Sequence, residues 1–72
     1  MPYATNDDLP LSVRAHLPAH AQDIFRAAFN ASFSAHALDP RREEAARRIA
    51  WAAVKKTHRK IGDVWIAKSK AP

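Results

Sequence analysis

The stretch Ile49-Ala50-Trp51-Ala52-Ala53-Val54-Lys55 sets one large aromatic among small residues in a helical run edged with Arg and Lys. At about 100° per residue, Ala46, Ile49, Ala50, Ala53 and Thr57 share one face of such a helix. Trp51 points away from that face, on the side of Arg47, Val54 and His58. A ring of that size needs a second packing partner there, or is itself a contact site. The run therefore predicts a helix packed on two sides, the central element of a small bundle.

Punctuation divides the rest of the chain into further helices. Leu9, Val13 and Leu17 recur at i, i+4 and i+8, which predicts a short helix from Leu9 or Pro10 to His16 with Asp8 as its cap. Pro18 ends that element and opens the next, expected from Pro18 or Ala19 to about Ala37. Its core side is Ala21, Ile24, Phe25, Ala28, Phe29, Ser32 and Ala35, with Phe33 at the edge and Arg26, Asn30 and Ser34 facing away. Asp39-Pro40 reads as a capping Asp and a first-turn proline. It predicts a third helix from Pro40 to about Lys60, stopped by Gly62, the one glycine of the chain. Val64-Trp65-Ile66 suits an extended, half-buried setting. Either it pairs with the other extended end, Pro2-Tyr3-Ala4, or it packs without ladder bonds. The expected fold is all-α, a small three-helix bundle with helix three central and at most a minimal two-stranded pairing of the termini.

Seventy-two residues make a single domain, 1–72, that buries only about 60% of its unfolded surface. With no cysteine there is neither a disulfide nor a thiolate metal site, which suits a cytoplasmic location. The N-terminus lacks the pattern of a signal peptide, and no apolar run approaches the roughly 18–20 residues that span a bilayer. Charge is uneven: residues 1–39 carry two basic and four acidic side chains, residues 40–72 ten and three. That asymmetry points either to an anionic partner for the C-terminal half or to a solvated basic face.

Residues that could do chemistry are sparse. One glycine in the chain excludes a phosphate-cradling loop, and the serines lack a nucleophile elbow. Asp7-Asp8 and Glu43-Glu44 read as helix-start residues. His16 and His20 have metal-ligand spacing, but Pro18 breaks the helix between them, and His36 and His58 lie far away in sequence. His58 falls two turns after Trp51, placed to stack on it or to donate a hydrogen bond. The expectation is a chain without enzymatic activity, metal or cofactor.

Ala50-Trp51-Ala52-Ala53-Val54-Lys55 resembles the signature of the ChaB family, small bacterial proteins often labelled cation transport regulators. Met1-Pro2-Tyr3, Asp8-Leu9-Pro10, Ser12-Val13, Leu17-Pro18, His20-Ala21-Gln22-Asp23-Ile24, Ala28-Phe29-Asn30, Lys60, Gly62-Asp63 and Trp65 agree with it in order and spacing. The connection Leu38 to Arg42 lacks the acidic, glycine-bearing insert of many relatives, and His58 stands where Tyr is common. The resemblance implies a regulator of a sodium or calcium/proton antiporter that works through protein contact, with a cytoplasmic loop of the transporter as its partner.

Two sets of residues carry the expectations of function. Arg41, Arg48, Lys55 and Arg59 are spaced seven, seven and four apart, which predicts a longitudinal basic stripe on helix three. Such a stripe can meet an acidic protein loop, anionic lipid, or the phosphates of nucleic acid. Trp51 needs cover from the chain ends, so Tyr3, Trp51 and Trp65 are expected to form a second aromatic cluster, apart from the core of Ile24, Phe25, Phe29 and Ile49.

Overall fold

The computed structural model describes residues 3–68. A 3-10 turn, Asn6–Asp8, leads into a one-turn helix α1 (Leu11–Arg14), then α2 (Ala19–Ala35), α3 (Arg42–Thr57), and two strands, β1 (His58–Ile61) and β2 (Val64–Ala67). The fold is mostly helical with a minimal antiparallel strand pair, and α2 against α3 is its main interface.

Local chemistry accounts for the boundaries. The Asp8 carboxylate accepts the Thr5 N–H at 3.1 Å, so it caps the 3-10 turn and not α1, whose N-cap is Pro10. Pro18 stands just outside α2 as its N-cap, in extended backbone at φ −66° and ψ 165°. The side chain of Gln22 closes that corner by donating to the Leu17 carbonyl at 2.8 Å. Between α2 and α3, Asp39 Oδ1 accepts the Arg41 N–H at 2.8 Å, and Arg42 N–H donates to the Asp39 carbonyl at 3.0 Å. Asp39 thus caps the turn as its side chain allows, while α3 begins two residues beyond Pro40.

Leu9, Val13 and Leu17 are buried, as their spacing predicts, together with Ala21, Phe25 and Phe29 of α2 and Ala46, Ala50 and Val54 of α3. Phe25 and Phe29 belong to one core with the alanines of α3, the large-and-small pairing by which two helices interdigitate. The buried face of α3 is therefore Ala46, Ala50 and Val54, rotated from the expected one. Ile49 is 43% exposed, and Thr57 is exposed as well. That rotation brings Trp51 to the edge of the core.

Two expectations are corrected in the N-terminal arm. Arg26 and Asn30 do not simply face away from the core. Tyr3 N–H donates to Asn30 Oδ1 at 2.9 Å, and Asn30 Nδ2 donates to the Tyr3 carbonyl at 2.7 Å. Arg26 Nε donates to Asn6 Oδ1 at 2.8 Å. The side-chain amide of Asn30 satisfies both backbone groups of Tyr3, as a neighbouring strand would.

Because Tyr3 is bonded to α2, the strand Val64–Ala67 finds a different mate. It pairs antiparallel with His58–Ile61, in the register Ile61↔Val64, Lys60↔Trp65, Arg59↔Ile66 and His58↔Ala67. Pro2 lies outside the described residues. Helix three is correspondingly shorter than expected: at His58 the backbone turns extended, with φ −133° and ψ 157°. Gly62 does adopt left-handed backbone, at φ +61°, but inside the hairpin turn and not as a helix stop. Glycine first and a non-glycine with ordinary negative φ second is the arrangement of a type II′ turn.

Candidate partner-binding surface

The four basic residues expected to form a stripe sit on three different pieces of structure. Arg48 and Lys55 are exposed on α3. Arg41 is the N-cap residue of that helix, and Arg59 lies on β1. Arg41 and Arg48 line a depression of about 210 Å³ with Asp39, Glu44 and Ala45. The Arg48 guanidinium lies 3.6 Å from the Glu44 carboxylate, with both side chains more than half exposed. A pair of that kind contributes little to stability, so Arg48 is free to exchange partners. Arg59 departs from the helical row because α3 ends at Thr57. Its place in the hairpin is opposite the face that carries buried His58.

The aromatic residues form one continuous series of rings. Tyr3 stands 4.8 Å from Phe29, Phe29 is 6.2 Å from Phe25, Phe25 is 5.1 Å from Trp51, and Trp51 is 5.6 Å from Trp65. Phe33 branches from Phe29 at 5.8 Å and carries the Arg42 guanidinium 4.6 Å over its ring. Trp51 and Trp65 are therefore neighbours, as the sequence suggests. Tyr3 is not beside them; it joins the series at the far end through Phe29. The rings do not separate from the core either, since Trp51 meets Phe25 edge-on at 75°.

Histidines organise the hairpin. His16 Nδ1–H donates to the Asp63 carbonyl at 2.6 Å, and the Trp65 N–H donates to the His16 carbonyl at 3.0 Å. His58 is 2% exposed; its Nδ1 is 2.9 Å from the Thr57 hydroxyl. Its ring lies 5.9 Å from His20. His58 thus faces His20 and not Trp51. The two residues that Pro18 separates, His16 and His20, serve different partners. His36 Nδ1–H donates to the Ser32 carbonyl at 2.9 Å at the end of α2. Among the described residues no group of three or more His, Asp or Glu side chains is placed to hold a metal ion.

A groove that sequence reasoning did not anticipate runs along the outer side of β2. Its volume is about 530 Å³, and Leu17, Pro18, His20, His58, Trp65 and Ile66 contribute to its walls. It exists because the α1–α2 corner and the hairpin meet through His16. Only its hairpin wall has a local signal: Ile61-Gly62-Asp63-Val64 is an aliphatic pair flanking a Gly-Asp turn, which reads as a hairpin.

Comparison with known proteins gives a consistent result. The ChaB family model matches residues 9–68. Proteins named "Putative cation transport regulator ChaB" from Escherichia coli strain K12 and from Shigella flexneri are 46% identical over 76 residues, covering 96% of this chain and all of each relative. A solution NMR structure described by the same name superposes with a TM-score of 0.83 at 45% identity, over 94% of this chain and all of that one.

Proposed function

Because the chain belongs to the ChaB family, we propose that it is a small, non-catalytic regulatory protein of the cytoplasm that acts on a cation/proton antiporter through protein–protein contact. The observation that carries this reading is full-length similarity, at 46% identity, to proteins named as cation transport regulators. No described helix is long and apolar enough to cross a membrane, which fits action on a transporter by a separate chain. The contact residues are Arg41, Arg48, Lys55 and Arg59, offered to an acidic cytoplasmic loop. Their support is the excess of basic over acidic side chains in residues 40–72 and the exposure of Arg48 and Lys55. Immobilised protein should capture a membrane antiporter from a detergent extract, with nuclease present and in excess duplex DNA. Arg48→Glu with Lys55→Glu should lose it. Capture of no membrane protein, or capture indifferent to the double variant, counts against the reading.

The same basic residues support a second reading, binding to nucleic acid. All six aromatic rings are engaged with one another, so affinity for DNA or RNA would come from phosphate contacts and counterion release. Nuclease treatment that removes all captured partners would favour this reading over the first.

A further inference from the structure

One face of the hairpin is aliphatic where water should see polar groups. Side chains alternate across a strand, and a sheet with one covered face normally carries polar residues on the other. The register places His58, Lys60, Trp65 and Ala67 on one side, where His58 is buried and Trp65 packs on Trp51. The other side carries Arg59, Ile61, Val64 and Ile66. Ile61, Val64 and Ile66 are 52%, 50% and 39% exposed. Three branched aliphatic side chains thus stand together beside a turn. Arg59 shares this face, whereas Lys60 lies on the opposite one. Exposed Lys56 and Lys68 flank the hairpin in sequence, and its one acidic side chain is Asp63 in the turn.

We infer that this hairpin face is a contact site for an anionic lipid bilayer surface: Ile61, Val64 and Ile66 enter the headgroup boundary, and Arg59 beside them meets the lipid phosphates. The charge decides between occupants. A second copy would bring Arg59 against its own counterpart, in a chain of net charge +5. An anionic bilayer offers an apolar layer beneath a negative one, the order in which this face presents its side chains. His16 holds the hairpin to the α1–α2 corner through Asp63 and Trp65, so the face is presented on a fixed support. The inference goes beyond the regulatory reading: it says where the protein sits, whichever protein it contacts.

Co-sedimentation of the full chain with vesicles tests it, using phosphatidylcholine vesicles with and without about one-third phosphatidylglycerol. Partitioning onto the anionic vesicles should exceed that onto the neutral ones at least tenfold at low salt and should weaken as salt rises. Each Lys or Arg near the surface is worth about fivefold, so Arg59→Ser should lower partitioning about fivefold. Ile61→Ser with Ile66→Ser should lower it at least tenfold while the far-UV spectrum and thermal melt stay those of a folded protein. No partitioning onto anionic vesicles overturns the inference. So does partitioning unchanged by the isoleucine variant, which would be general attraction of a basic protein. A dimer in sedimentation velocity that the isoleucine variant dissociates would assign the face to a second copy. Partner capture is scored separately, through Arg48 and Lys55, so either idea can fail alone.

Discussion

His16 reaches across 47 positions of sequence to Asp63, donating from its Nδ1–H to the Asp63 carbonyl at 2.6 Å. The backbone of the same histidine accepts the Trp65 N–H. One residue at the α1–α2 corner therefore clamps both the turn and the outer strand of the hairpin. His16→Ala removes the side-chain half of the clamp. The expected loss is about 1 kcal/mol, the net worth of one hydrogen bond, with faster amide exchange across β1 and β2. Unchanged exchange there would show that the backbone bond and the tryptophan pair hold the hairpin by themselves.

Gly62 occupies φ +61°, and a Cβ built on it would meet nothing within 4 Å. The cost of Gly62→Ala is then conformational and not steric, about 1–2 kcal/mol. A drop in Tm of about 4–8 °C per kcal/mol is expected for a domain of this size. Gly62→Asn should lose less, because asparagine tolerates left-handed backbone. Equal losses for the two variants would contradict this account.

Trp51 is half-buried between Phe25 and Trp65. Trp51→Ala should cost about 3 kcal/mol, the low end for removing a large aromatic, and a large share of the stability of a small domain. A variant with an unchanged melting temperature would rule out the packing role. Deleting residues 63–72 removes Trp65, so Trp51 emission should shift to the red and become open to quenchers.

Asn30 makes two hydrogen bonds to the backbone of Tyr3. Asn30→Ala should release the arm at a cost of about 1–2 kcal/mol. Tyr3 would then leave Phe29, and its ring resonances should move toward those of a free tyrosine. Retained ring shifts would mean that aromatic contact alone seats the arm.

Much of this architecture was legible in the sequence, and the misreadings share a cause. Leu9, Val13 and Leu17 fall on the buried stripe that their spacing predicts, because an i, i+4, i+8 pattern does not depend on distant residues. The pairing of Trp51 with Trp65 follows instead from elimination, from the cover that Trp51 needs and the chain ends that remain; the same elimination misplaces Tyr3, which sits on Phe29. What failed depended on context far away in sequence. Ile49 looks like a core residue and Val54 like a flank, yet close approach of α2 to Ala46 and Ala50 sets the rotation of α3. The sequence extends the helix through His58 and Arg59 because Lys and Arg suit the negative end of a helix. The Gly62-Asp63 turn outweighed that preference by supplying a mate for β2. Of the expected basic stripe, Arg48 and Lys55 remain on α3, while Arg59 was displaced by that same hairpin. The groove along β2 had no sequence signature of its own, since it is made by a corner and a hairpin that meet only in the fold.

The series of rings from Tyr3 to Trp65 has an optical consequence. Two indoles 5.6 Å apart and tilted by 34° couple their excited states, and such a pair gives an exciton couplet in circular dichroism that neither tryptophan gives alone. Tyr3, at the opposite end, is joined to Trp51 through Phe29 and Phe25 in three short steps, close enough for energy transfer to that indole. The protein therefore carries an intrinsic reporter at each end of its aromatic series: the couplet follows docking of the hairpin, and tyrosine-to-tryptophan transfer follows docking of the arm. Without any added label, the two can be watched separately as a partner or a surface is engaged.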